Sequence, residues 1–222
     1  MDLVGALVTG GFGILLGPFV ITAACSVPPT GRALRCRQAV PRGTQAWVIA
    51  CVGSTVAGLV SAAVCIALGW TLPTLALSLA AVVGTGLVVT DVRVRRLPHL
   101  LTGAMYTVCV VAFGVQWFVD GQPTRPLRAG LAAAVVLVAS LLLALALPGH
   151  LGLGDVVLMG WVALSLGWWG WRSVTVALMA ALAVQAVVAV MTLLVGTARG
   201  SALPLGPALM GGWLVAVALV AR

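Results

Sequence analysis

Apolar residues fill this chain in stretches of about 17 to 23, broken by short segments rich in Gly, Pro, Thr and Arg. A run of that length crosses a hydrocarbon core of about 30 Å as a helix, which satisfies every backbone hydrogen bond without help from water. The pattern predicts eight helices, over about residues 3–24, 46–69, 73–90, 99–119, 128–147, 155–169, 173–195 and 205–221. The fold class expected is all-α, a polytopic transmembrane bundle. Residues 1–222 are read as one integral membrane domain, with residues 25–45 as a short loop after the first span.

Composition sharpens this picture. The chain is 62% hydrophobic and 7% charged, with a mean hydropathy of +1.21, against roughly a quarter charged residues in soluble domains. A water-soluble fold is excluded. The net charge of +8 comes entirely from Arg and Asp. The Arg residues gather in particular connections, so contact with an anionic bilayer surface explains them better than nucleic acid does. Arg32, Arg35, Arg37, Arg42, Arg93, Arg95, Arg96 and Arg199 follow odd-numbered helices, and Arg125, Arg128, Arg172 and Arg222 lie on the opposite face. This asymmetry puts the odd-numbered connections in the cytoplasm.

Trp70, Trp117, Trp168, Trp169 and Trp171 fall at the outer ends of their helices and are expected to anchor them at the headgroups. Small residues such as Gly53-Ser54 and Gly84-Thr85-Gly86 permit close helix approach in lipid. Met1-Asp2-Leu3 lacks a basic n-region and no small-residue cleavage site follows, so the first span is expected to remain. Cys25, Cys36, Cys51, Cys65 and Cys109 form no C-x-x-C pair and no metal-spaced set with His. Neither metal nor cofactor is expected.

Four acidic residues remain to carry chemistry. Asp2 and Asp120 sit in a terminus and an outer loop, where a solvated charge costs little. Asp91 and Asp155 lie at the edges of apolar spans, where a carboxylate is expensive and functional by default. Two full crossings separate them, so both end on the same membrane face and can meet. Two carboxylates in one site do not both ionise readily, and a pair sharing one proton suits peptide hydrolysis without a metal. Asp155 opens a helix, whose positive dipole end favours a carboxylate; Asp91 closes one, whose negative end favours the acid. The bland readings are a topogenic ion-pair cluster at Asp91 with its three Arg neighbours, and a turn with φ > 0 at Gly152 and Gly154.

The segment Asp91-Val92-Arg93-Val94-Arg95-Arg96-Leu97-Pro98 resembles the D-x-R-x-R-R-I-P stretch of the type IV prepilin peptidases, and Gly152-Leu153-Gly154-Asp155 resembles their second motif. The order and the 64-residue spacing also fit. Leu203-Pro204-Leu205-Gly206-Pro207 is similar to the P-x-G-P stretch that opens the family's last helix. Pro207-Ala208-Leu209 also spells the P-A-L of presenilin-type proteases, though Pro207 alone suits any helix start.

The resemblance implies an aspartic endopeptidase of the bacterial plasma membrane. It would cleave a short basic leader from prepilin-like or pseudopilin substrates on the cytoplasmic face, after a Gly. Asp91 and Asp155 would form the catalytic dyad, supported by Gly152, Gly154, Arg93, Arg95, Arg96, Pro98 and Pro207. Where the family often has Asn after the Pro and Lys two positions after the second Asp, this chain has His99 and Val157. Leu15-Leu16-Gly17-Pro18-Phe19-Val20 is only faintly similar to the family's G-S-F-x-N opening. The Cys-rich segment of bifunctional relatives has no counterpart in residues 25–45, so N-methyltransferase activity is not expected. A proton-coupled transporter or channel and a catalytically silent assembly partner are the alternatives.

Overall fold

The computed structural model describes residues 2–25, 44–94, 99–147, 151–194 and 205–220. Among them are eight helices: α1 (Asp2–Cys25), α2 (Thr44–Leu68), α3 (Leu72–Val94), α4 (His99–Asp120), α5 (Thr124–Ala146), α6 (Leu153–Gly167), α7 (Trp171–Leu194) and α8 (Gly206–Val220). The expected elements are all present, and their ends lie within about four residues of the predicted ones. Among the described residues α1 to α5 and α7 are long and apolar enough to cross a membrane. The fold is thus a polytopic helical one. α6 and α8 have 15 residues each and rise only about 22 Å, short of a full hydrocarbon core.

The helices form two compact units, Met1–Gly121 and Gln122–Arg222. In the first, α1 and α2 run antiparallel along a seam of small residues. A Cβ at Gly10 would lie 3.3 Å from Ala62 Cβ, at Gly13 2.7 Å from Gly58 Cα, and at Gly17 2.6 Å from Ser54 Cα. The two backbones approach so closely that only glycine fits on the α1 side, which is how helices associate where lipid removes the hydrophobic incentive. α3 packs against α1, α2 and α4. Ser61 Oγ donates to the Ser78 carbonyl while Ser78 Oγ donates to the Ser61 carbonyl, both at 3.2 Å, so a reciprocal pair of buried bonds joins α2 to α3. Gly69 (φ 77) and Gly121 (φ 65) close α2 and α4 in the left-handed conformation. Their N–H groups donate to Cys65 and Trp117 carbonyls at 3.0 and 2.8 Å.

In the second unit α6 packs against α5, α7 and α8. The Arg128 guanidinium of α5 donates through Nε to the Gly167 carbonyl at 2.8 Å and through Nη2 to the Trp168 carbonyl. It thereby satisfies the last carbonyls of α6 with a positive charge at the negative end of the helix dipole. Gly167 makes the approach possible, since a Cβ there would lie 2.8 Å from Ala129 Cα. As a topogenic charge alone, Arg128 carries no sign in the sequence of this capping role. Trp168 also departs from expectation: its side chain is buried, 5% exposed, and does not reach a headgroup layer as Trp70, Trp117 and Trp171 can. Loss of both bonds in Arg128→Ala is expected to destabilise the unit by about 2–3 kcal/mol. Arg128→Lys, which lacks the planar fork, should recover less than half of that in thermal unfolding in detergent.

Candidate active site

Asp91 and Asp155 each ride near one end of the helix that packs against the three others of its unit. α3 was expected to stop at residue 90, but it continues through Val94. Asp91 therefore lies inside the last turn of the helix and is buried, 6% exposed. The preceding Thr90 is fully buried and turns its hydroxyl back onto its own helix, donating to the Leu87 and Gly86 carbonyls at 2.8 and 3.3 Å. Five residues before Asp91, Gly86 lets Val20 of α1 pack against the backbone, since a Cβ there would lie 2.6 Å from Val20 Cγ1. The faintly similar Gly17-Pro18-Phe19-Val20 stretch thus braces the helix that carries the first aspartate.

Asp155 is the third residue of α6, which begins two residues earlier than the pattern predicted. Gly152 is the N-cap, and its N–H donates to Asp155 Oδ2 at 3.3 Å. This is the carboxylate half of a capping box; Gly152 has no side chain to return the bond. The Gly152 carbonyl accepts from Asp155 and Val156 N–H at 3.0 and 3.2 Å. The turn with φ > 0 expected as the bland reading of Gly152 is not formed, because its φ is −76° and its ψ 145°, which any residue adopts. What glycine supplies there is room beside the Asp155 carboxylate. A Cβ on residue 152 would stand 3.2 Å from Asp155 Oδ2.

Asp155 is half-buried, as are Gly154 in the same turn and Val157 one residue beyond Val156. Gly152 and Asp155 are therefore brought together, while Asp91 belongs to the first unit and Asp155 to the second. Pro207 is the second residue of α8, in the first turn where a missing N–H is tolerated, and is half-buried. Arg95, Arg96, Pro98 and residues 26–43 of the expected first loop lie outside the described residues, and Arg93 is placed only as part of α3. Among the described residues no group of three His, Cys, Asp or Glu is disposed to hold a metal ion.

The model of the type IV leader peptidase family matches residues 78–196, more than half of the chain. The chain belongs to the type IV leader peptidase family. The match takes in Asp91 and the Arg-rich segment after it, the Gly152–Asp155 turn, and the helices between and beyond them. It ends before the Pro204–Pro207 stretch and begins after α1 and α2, so the similarity suspected at both ends of the chain lies outside it. No curated protein and no solved structure gave a match. Membership assigns the chain a peptidase activity of the leader-cleaving kind.

Proposed function

We propose that the chain is an aspartic endopeptidase of the bacterial plasma membrane, and that Asp91 and Asp155 share one catalytic water. One observation carries this reading. The family match spans both aspartates, and each stands near the end of the helix that packs against the three others of its unit, Asp91 buried and Asp155 half-buried, where a carboxylate is retained at a cost. The water oxygen attacks the scissile carbonyl carbon while Asp155 takes the water proton. Asp91, holding the other proton, donates a hydrogen bond to the carbonyl oxygen and stabilises the charge that develops there. Collapse breaks the C–N bond as Asp155 passes its proton to the leaving nitrogen, giving a free carboxylate and a free amine.

The substrate class is a prepilin-like or pseudopilin protein with a short basic leader ahead of a hydrophobic helix, cut after a Gly. A glycine at the cut site lets the chain become extended at the helix start. Arg counting puts the cut on the cytoplasmic face. Arg93, Arg95 and Arg96 repel a basic leader and are assigned to lipid headgroups. Methyl transfer to the new N-terminus is not part of this function.

Co-expression with prepilin-like substrates from the same genome tests the reading by the mass of the product. Leader loss is expected with the wild-type chain and not with Asp91→Ala or Asp155→Ala. Undiminished processing in both variants would overturn it.

The glycine before the second aspartate offers a graded test. A methyl group at residue 152 presses on Asp155 Oδ2 at 3.2 Å, so Gly152→Ala is expected to lower kcat about 10-fold and Gly152→Val about 100-fold. Because the backbone there is extended, thermal unfolding should hardly change. An equal loss of stability and rate would point to a folding role for Gly152.

A further inference from the structure

Gln185 stands inside α7, an apolar helix of 24 residues, with 14 of them before it and nine after it. It lies about 13 Å from the C-terminal end of the helix, within the hydrocarbon depth. Ser140, Ser165, Thr175 and Thr192 of the same unit each turn a hydroxyl back to a carbonyl of their own helix. The Gln185 amide has no hydrogen-bond partner among the described residues. Two N–H donors and a carbonyl left unpaired at this depth are costly, and polar side chains retained there mark the path of a substrate or an ion.

The amide lies on the packed side of its helix. Val174, Ala177 and Ala181 are the buried residues of α7, and Gln185 follows Ala181 by four, on the same face. Gly212 of α8 rests on this stripe, where a Cβ would overlap the Ala177 carbonyl and lie 2.8 Å from Ala181 N. Beyond Ala181 the stripe runs on through Gln185, Ala189 and Thr192, which are half-buried. The change falls where the two short helices begin. α6 and α7 pack together and are joined by three residues, so they run antiparallel. Leu153 lies 14 residues before the end of α6 and Gln185 14 after the start of α7, which puts them at one level. α8 starts at that level too: Trp213 is fully buried against Trp161 of α6, with ring centroids 5.5 Å apart, and its Nε1 donates to Ser165 Oγ at 3.0 Å. Gly206 lies seven residues before Trp213, and Leu153 eight before Trp161.

Asp155 reaches the same level. Its carboxylate turns back along α6 to the Gly152 N–H, and so stands within about 3 Å of Gln185 in height along the helix axes. Packed helices are about 8–10 Å apart, a gap much of which a glutamine side chain spans.

Building on the peptidase reading above, we propose that Gln185 is a substrate-binding residue whose amide pairs with the main chain of the peptide held at Asp155. A peptide must be extended to be cut there, and its N–H and C=O groups then lose their helical partners at a depth where water is scarce. A glutamine amide supplies both a donor and an acceptor to replace them. Because the bonds are to main chain, Gln185 strengthens binding without selecting side chains.

Kinetics of a prepilin-like peptide with the full-length chain in detergent test the proposal. Gln185→Leu is expected to raise KM about 10-fold, the worth of one or two neutral hydrogen bonds, with kcat within about 2-fold. Its melting temperature should be unchanged or higher, because an unpaired amide leaves an apolar interior. In a series of peptides with single ester replacements around the scissile bond, one is expected to raise KM for the wild-type chain and not for Gln185→Leu, since both changes remove the same bond. An unchanged KM in Gln185→Leu overturns the proposal, whether or not the variant alters self-association in light scattering. So does a lower melting temperature with ester effects that add throughout the series. Cleavage by wild type with the same KM in the variant defeats Gln185 alone, whereas absence of cleavage by wild type defeats the peptidase reading and Gln185 with it.

Discussion

Asp91→Asn and Asp155→Asn are each expected to lower kcat for leader cleavage by at least about 10³-fold, with KM changed little, because the amide keeps the shape of the carboxyl and loses the ability to exchange a proton. Stability separates this outcome from the simpler one in which Asp91 only pairs with the Arg residues that follow it. A buried carboxylate pays for desolvation, so an isosteric amide at a catalytic position leaves thermal unfolding unchanged or slightly raised. Removal of a structural ion pair would do the reverse, leaving an uncompensated cation and lowering the melting temperature. Asp155→Asn keeps an oxygen to accept the Gly152 N–H bond seen at 3.3 Å, so its helix start should survive. The comparison is made with purified wild type and variants in the same detergent, by initial rates and by calorimetry.

The second large effect concerns the frame and not the chemistry. Gly17→Leu is expected to destabilise the first unit by about 3 kcal/mol or more, because over-packing at a rigid contact forces backbones apart. At that position a Cβ meets Ser54 Cα at 2.6 Å, and a backbone atom has no rotamer into which to retreat. Gly11 gives the control, since nothing lies within 4 Å of its Cβ position. Gly11→Leu should be neutral or mildly stabilising, by up to about 1 kcal/mol from helix propensity. Separation of α1 from α2 would also release Val20 from Gly86, so Gly17→Leu should lower activity at temperatures where the first unit still persists.

The helices themselves were legible in the sequence because a hydrocarbon core imposes a length, which six of the eight apolar helices among the described residues reach and α6 and α8 approach. Their packing was not. In a soluble helix the buried face is the apolar face, but in lipid both faces are apolar, and periodicity ceases to tell neighbour from solvent. Gly13 and Gly17, which set the α1–α2 seam, and Gly11, which faces open space, read alike in sequence. Trp168 was expected at a headgroup layer with Trp169 and Trp171, yet it is buried. Its backbone carbonyl is held by Arg128, 40 residues away, a contact that no local pattern contains. Trp161 and Trp213 carried no signal at all, since an aromatic residue inside a span has no mark that separates a helix-joining pair from a lipid-facing ring.

The two aspartates were legible for a physical reason. In a chain with so few acids, a carboxylate at the edge of an apolar run is rare and costly. Their immediate surroundings were less so. The pattern places both at helix edges; Asp91 lies in the last turn of α3, three residues before its end, and Asp155 in the first turn of α6. The bland reading of Gly152 is backbone freedom, whereas its φ and ψ are extended and its Cβ position lies beside the Asp155 carboxylate. Distinguishing the two needs the position of the Asp155 carboxylate, which no local pattern contains.

Formation of one site by Asp91 and Asp155 is tested most directly by cysteines at those two positions, introduced after replacement of Cys25, Cys36, Cys51, Cys65 and Cys109 by Ala. A dyad that shares a water brings the two thiols within disulfide reach during ordinary thermal motion. Mild oxidation of the double variant in membranes is expected to give an intramolecular disulfide, detected by its altered mobility and reversed by reductant. Quantitative modification of each single cysteine by a maleimide, with no disulfide in the double variant, would contradict the dyad.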